Sequence, residues 1–304
     1  MSFKEFNNRQ IANKHAEYIT SPVLRQYLAD KVRQYCGENV SIFDGAAGSG
    51  QLEQFIQPKE FHAVEIQTLA CEALKENYPN AVVYNQSFFL YDENPEVDVT
   101  AMNPPYSIKF KDLPEEDRQA IQSDFPWKKS GVVDDIFLLK SLKYTKRYAF
   151  YIMFPGIAYR GAEKKMRELV GNRLLELNTV RNGFEDTQIE VLFLVIDKQK
   201  TTSDIHSEIY DAKLKKIVYT TSSQLTVDYH WHAPREPVEK EEIDIDAVNQ
   251  ELDELMLVRL RNHLESQLLV IHYFGAEIDY LSFISQAYDI LNQYEIYYNF
   301  GVVQ

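Results

Sequence analysis

The chain has 304 residues, 45% of them hydrophobic, and carries 46 acidic against 32 basic side chains for a net charge of −14. That apolar share suffices for a sizeable buried core, and the acidic balance argues against unassisted nucleic-acid binding, because phosphate contacts need clustered Lys and Arg. The charged start excludes a signal peptide, no run is apolar enough for a membrane span, and two distant cysteines, Cys36 and Cys71, suit a reducing compartment, so the expected location is the cytoplasm.

In chain order, residues 8–18 read as a polar helix leading into Tyr18-Ile19-Thr20-Ser21-Pro22. There a hydroxyl cap precedes a proline at the first helical position, so a helix is expected over residues 22–36, with Gly37 as its stop. Val40-Ser41-Ile42-Phe43-Asp44 reads as a buried strand, followed by Gly45-Ala46-Ala47-Gly48-Ser49-Gly50 and a helical stretch to about Gln57. A strand over 61–65, a helix over 68–77 and a strand over 81–84 complete βαβαβ, which right-handed crossovers turn into a parallel sheet. Residues 98–102 supply a fourth strand. It stops at Asn103-Pro104-Pro105-Tyr106, and the regular pattern then lapses over 107–132, as in a functional loop beside a site.

Regularity resumes with a helix over 134–144, a strand over 148–154, a helix over 162–170 and strands over 174–180 and 190–196. Two more strands, 205–210 and 216–229, precede a proline-containing acidic link over 234–246. Leu252, Leu255, Leu260, Leu264, Leu268 and Ile271 then recur at three- and four-residue steps, predicting a long amphipathic helix over 247–271, and residues 276–300 are expected to be helical as well. The domain expectation is therefore an N-terminal helical segment (1–37), a catalytic core (38–200) and a C-terminal extension of short strands and helices (201–304).

Two stretches carry chemistry. Proline fixes φ, removes a donor and pushes the preceding residue out of the helical region, so Asn103 sits at a stiff strand end, where ligands bind in open α/β sheets. Its side-chain oxygen and the Pro104 carbonyl are two acceptors that together could hold both hydrogens of a planar amino group, with Tyr106 lying against the ring. In the other stretch, Gly48 and Gly50 let backbone pass close to a ligand, although nucleotide-binding and purely structural turns look alike at this level. No Lys-Ser/Thr follows, which argues against a phosphate-cradling loop. Glu65 ends the second strand, where an acid commonly binds both ribose hydroxyls. A ribose site and a small-residue loop without phosphate machinery suggest S-adenosylmethionine, with Asp44 meeting its charged methionine end. His230 and His232 lack a third ligand and read as surface histidines, so no metal is expected.

Taken together, Asp44-Gly45-Ala46-Ala47-Gly48-Ser49-Gly50, Glu65 and Asn103-Pro104-Pro105-Tyr106 resemble the cofactor loop, ribose acid and catalytic motif of amino-group DNA methyltransferases. The likeness is greatest to the modification subunit of type I restriction-modification systems, which methylates the exocyclic nitrogen of adenine. Tyr18-Ile19-Thr20-Ser21-Pro22 is similar to that family's segment before the core, Pro155-Gly156-Ile157-Ala158-Tyr159-Arg160-Gly161 to its loop after a central strand, and Phe184-Glu185-Asp186-Thr187-Gln188-Ile189 to its Phe-containing turn. The resemblance covers residues 8–198. It departs at Gly45 and Ala47, where the family has Pro and Cys, and at Ser87, which occupies the place of an Asp that contacts the cofactor's adenine. The large helical domain that precedes the core in typical modification subunits is nearly absent.

The resemblance implies a Rossmann-like S-adenosylmethionine-dependent methyltransferase core with a mixed, mainly parallel sheet and a C-terminal extension ending in long helices. Asn103, Pro104, Pro105 and Tyr106 would be catalytic, and Tyr18, Thr20, Asp44, Ala46, Gly48, Gly50, Glu65, Ser87 and Phe88 would hold S-adenosylmethionine. Tyr106 and Phe184 would stack on a flipped base. DNA and a specificity subunit docked on the C-terminal helices are the implied partners, with a homo-oligomer as a further possibility. Methylation of a protein glutamine or an RNA guanine amino group, and a non-catalytic binding or accessory protein of the same fold, are the alternatives.

Overall fold

Helix α1 (Pro22–Cys36) begins as the sequence predicts. Ser21 Oγ accepts from Leu24 N at 3.3 Å, Pro22 takes the first helical position, and Gly37 ends the helix at φ +74°. In this computed structural model, residues 3–5, 20–184, 189–237, 244–277 and 279–300 are described, the side chains of 295–300 excepted. The expected helix over 8–18 and the candidate residue Tyr18 lie outside the described residues.

A nine-stranded sheet follows, built from β1 (Ser41–Asp44), β2 (Glu60–Glu65), β3 (Val82–Asn85), β4 (Val97–Met102), β5 (Thr145–Met153), β6 (Leu174–Arg181), β7 (Val191–Asp197), β8 (Asp204–Asp211) and β9 (Lys216–Gln224). The spatial order is β3-β2-β1-β4-β5-β7-β6-β8-β9. The run from β3 to β5 is parallel, β7 is antiparallel to both β5 and β6, β8 is parallel to β6, and β9 is antiparallel to β8. The sheet is thus mixed and mainly parallel, as expected.

Helices α2 (Thr68–Asn77), α3 (Glu115–Asp124), α4 (Asp134–Ser141) and α5 (Lys164–Val170) complete the first compact unit. Strands β1 and β7 are buried along their whole length because both faces of the sheet are covered. On β5, Phe150 and Ile152 pack with Leu24, Leu28 and Val32 of α1. Tyr151 and Met153 alternate with them and join Ile136, Leu138 and Leu139 of α4 on the opposite face, the period-2 division that a strand imposes.

The chain divides into two compact units, Met1–Glu236 and Pro237–Gln304. Strands β8 and β9, grouped with the C-terminal extension on sequence grounds, complete the sheet of the first unit. Three local expectations need correction. Residues 52–56 form turns rather than a helix, closed by Ile56 N donating to Glu53 O and by Gln57 at φ +53°, because Pro58 and the start of β2 leave too little chain. The segment 107–132 contains a regular helix, α3, which its charge and prolines conceal. Strand β9 ends at Gln224, so His230 and His232 lie beyond it rather than on a strand.

In the second unit α6 (Ile245–Phe274) and α7 (Tyr280–Phe300) pack on each other, with Arg259 reaching Gln293 at 3.2 Å and His263 stacked on Phe283. Leu252, Met256, Leu260 and Ile271 of α6 are half-buried, while Leu257, Leu264 and Leu268, seven and four residues apart, form a second row that stays exposed; Leu255 is exposed on another side of the helix.

Candidate functional site

Strand β1 has β2 on one side and β4 on the other, which makes its carboxyl end a switch point of the sheet, the place where α/β folds bind ligands. Phe43 is level with Thr100 of β4. Asp44 and Asn103 therefore leave neighbouring strands at the same edge.

Asp44 is buried, and its Oδ1 accepts from Ala46 N at 2.8 Å, which folds the glycine turn back over the strand. Glu53 is fully buried on the next turn, and among the described residues neither of its carboxyl oxygens meets a hydrogen-bond donor. The two carboxyl groups abut, and burial pushes both upward, Asp44 to about 7. Glu65 closes the turn from β2: Oε2 accepts from Gly48 N and Oε1 from Gln67 N, each at 2.8 Å. Burial raises its carboxyl against those backbone donors.

Gly48, at φ +54°, has open space where a Cβ would stand, whereas a Cβ on Gly50, at φ +76°, would come within 2.6 Å of the Tyr78 ring. Gly48 leaves open space beside the turn and Gly50 gives the chain its turn. Gly45 yields its space to Phe88, whose ring would lie 2.6 Å from an added Cβ. Phe88 stacks on Phe137 at 5.4 Å and belongs to the core under the loop. Ala46 is half-buried at the turn. Open space over Gly48, two abutting buried acids and a further acid on the adjoining strand fit a nucleoside that bears a positively charged amino-acid arm, although Arg25, held by Gln51 and Gln54 of the same turn, already offsets part of the charge on Glu53.

At the other half of the site, Asn103 Nδ2 donates to Thr20 Oγ1 at 2.8 Å, and Tyr106 Oη donates to Asn103 Oδ1 at 2.5 Å. These two contacts fix which way the amide faces. An sp² oxygen has two acceptor sites; Tyr106 takes one of them on Oδ1. Thr20 is itself bridged to Phe184, and Ser21 N donates to Gly183 O at 3.3 Å. Segments more than 160 residues apart in sequence, 20–21 and 183–184, are thereby sewn beside Asn103. Tyr106 and Phe184 are only 3% and 6% exposed, so a base can stack on either ring only after displacing whatever packs on it.

Several residues of the site escaped the sequence reading. Asp134 Oδ1 accepts from Ser107 N at 2.9 Å, holding the chain at φ +60° immediately after Tyr106, while its Oδ2 accepts from Arg160 at 3.1 Å. Asp135 is likewise buried, on Lys128, with Nζ 2.6 Å and 2.7 Å from its two oxygens. Paired acids opening a helix after a loop are common in solvent, and nothing in their spacing marked them as buried. Glu53 was assigned to a helix, where an acid is unremarkable. Ser87 accepts from Phe89 N at 3.3 Å just beyond β3. Among the described residues no group of three His, Cys, Asp or Glu could hold a metal ion, and no helix is long and apolar enough to cross a membrane.

Residues 63–228, more than half of the chain, match the sequence model of N-6 DNA methylases. No curated protein matches the sequence. Among solved structures, a type I restriction-modification methyltransferase subunit from Streptococcus thermophilus is similar at 19% identity and a TM-score of 0.54, over 66% of this chain and 49% of that one. A protein assigned as a class I S-adenosylmethionine-dependent methyltransferase from Listeria monocytogenes gives 14% identity and 0.54 over 66% and 70%. The type IIG restriction endonuclease BpuSI gives 19% and 0.57 over 71% and 32%. The chain spans about half the length of the first of these, and the likenesses establish the fold.

Proposed function

Because the chain belongs to the N-6 DNA methylase family, we propose that it transfers a methyl group from S-adenosylmethionine to the exocyclic N6 of an adenine flipped out of DNA. The observation that carries this reading is the fixed amide of Asn103 at the sheet's switch point, beside a glycine loop lined by Asp44, Glu53 and Glu65. S-adenosylmethionine supplies an electrophilic methyl on a sulfonium. Glu65 takes its ribose hydroxyls, Gly48 with Ala46 lets it lie against the backbone, Gly50 sets the turn that presents them, and Asp44 faces the charged arm. Ser87 and Phe88 border the same site in this proposal, whereas Thr20 serves the Asn103 amide.

An aromatic amine is a poor nucleophile because its lone pair is delocalised into the ring. Asn103 Oδ1 and the Pro104 carbonyl each accept one of its hydrogens, which favours a pyramidal nitrogen whose lone pair points at the methyl. Positioning of this kind supplies most of the rate. A carbon–nitrogen bond forms as the carbon–sulfur bond breaks, and the nitrogen loses its proton only afterwards, so no strong base is needed. Pro105 keeps the strand end stiff, and Tyr106 and Phe184 flank the base.

The net charge of −14 favours a partner that supplies the grip on DNA. The exposed apolar row of α6 is the surface offered to a specificity subunit, in a cytoplasmic restriction-modification system, with a second copy of the chain as the other occupant. The test is mass spectrometry of adenine in host DNA after co-expression with the genomic neighbours. N6-methyladenine should appear with the natural chain and fall at least about a hundredfold with Asn103→Ala; equal methylation by the variant would sink the proposal.

A further inference from the structure

Ser87 stands two residues beyond Asn85, which is level with Glu65 on the neighbouring strand. β3 is the next strand outward from Glu65, so a base attached to a ribose on Glu65 would extend towards the carboxyl end of β3. A purine there presents an exocyclic amine that needs an acceptor. Ser87 Oγ is short and already accepts from Phe89 N.

Asp117, in the first turn of α3, is 3% exposed and is hydrogen-bonded to the Ser87 hydroxyl. Its Oδ1 is buried and meets no hydrogen-bond donor among the described residues. Burial holds its carboxyl above the usual range against the pull of the Ser87 hydroxyl. Glu116 repels it, and Lys140 attracts it from a distance while donating to Phe89 O at 2.6 Å. A helix N-terminus accounts for an acid in the first turn but not for one buried away from water.

Resting on the cofactor reading above, we infer that Asp117 accepts the exocyclic amine of the cofactor's adenine, a role that Ser87 is too short to fill, and so sets the enzyme's preference for an amino-purine. The acid arrives from the long segment after the catalytic motif rather than from the strand end itself, which couples α3 to the filling of the cofactor site.

Calorimetry with S-adenosylhomocysteine and with its 6-oxo counterpart, S-inosylhomocysteine, tests the assignment without turnover. The natural protein should favour the amino form by about ten- to hundredfold, the range for a hydrogen bond to a charged acceptor. Asp117→Asn should lose or invert that preference, since its amide can donate to the 6-oxo group, while melting within a few degrees of the natural protein. A folded Asp117→Asn that keeps the full preference overturns the inference while leaving the methyltransferase reading intact. If the natural protein binds neither compound, that reading fails and this assignment fails with it.

Discussion

Asn103 is useful only if its amide faces the right way, and Thr20 decides that. Replacing Thr20 with Val removes the acceptor of Nδ2 and lets the amide turn. The expected result is a fall in kcat of up to about tenfold, the value of one hydrogen bond, with little change in KM for the cofactor. Thr20→Ser should restore the rate, and a raised cofactor KM with unchanged kcat would instead assign Thr20 to cofactor binding. Glu53 makes a different prediction. Its carboxyl and that of Asp44 hold their protons to higher pH in the folded chain than in the unfolded one. The folded state therefore carries more protons between about pH 4 and pH 7, and stability falls as pH rises through that window. Glu53→Gln removes a charge that cannot be hydrated. In denaturant titrations it should match the natural protein near pH 5 and exceed it by roughly 1–3 kcal/mol at pH 8; equal stability at both values would show that the pair is not strained.

The turn from β1 into β2 shows how an element divides between binding and folding. At Gly50, Ala meets both a left-handed φ and the Tyr78 ring, and the Tyr78 hydroxyl donates to Gly50 O, so the ring cannot retreat without cost. Gly50→Ala should cost about 1–3 kcal/mol of stability, read from the shift in denaturation midpoint. Gly48→Ala meets open space; it should cost only the φ strain of about 1 kcal/mol yet weaken binding of S-adenosylhomocysteine, because the new methyl stands where the ligand lies. Equal effects of the two changes on binding would mean that the turn is only structural. The same turn marks the limit of the sequence reading. Helix α1 was legible to the residue because Ser21, Pro22 and Gly37 are local signals. The core strands were legible because burial on both faces demands apolar runs. The seven residues between Gly50 and Pro58 looked helical because composition does not reveal how little chain remains before β2. Helix α3 was hidden by its own polarity, and with it Asp117. The meeting of Thr20 with Asn103 was invisible for another reason: it depends on pairing across the sheet's edge with residues 183–184, a contact no local pattern encodes.

At the scale of the whole molecule, the strongest statement concerns where folding ends and assembly begins. The first unit, Met1–Glu236, contains all nine strands and both apolar clusters, together with the glycine turn, Glu65, Asn103 and Asp117. The second contains helices whose inner rows meet each other and whose outer row, Leu257, Leu264 and Leu268, remains exposed. Two helices alone bury too little apolar surface to be stable by themselves, so that outer row is expected to gain stability from a partner. A chain ending at Glu236 should then fold cooperatively, melt within a few degrees of the full chain and bind S-adenosylhomocysteine as tightly, since no residue of the site is removed. Adenine methylation in cells should nevertheless be lost, because the truncation removes the exposed row on which a DNA-gripping partner is proposed to dock. Methylation that survived the truncation at physiological salt would show that the first unit reaches DNA unaided and that the helices serve another purpose. Loss of cofactor binding would show instead that the second unit is needed to complete the site.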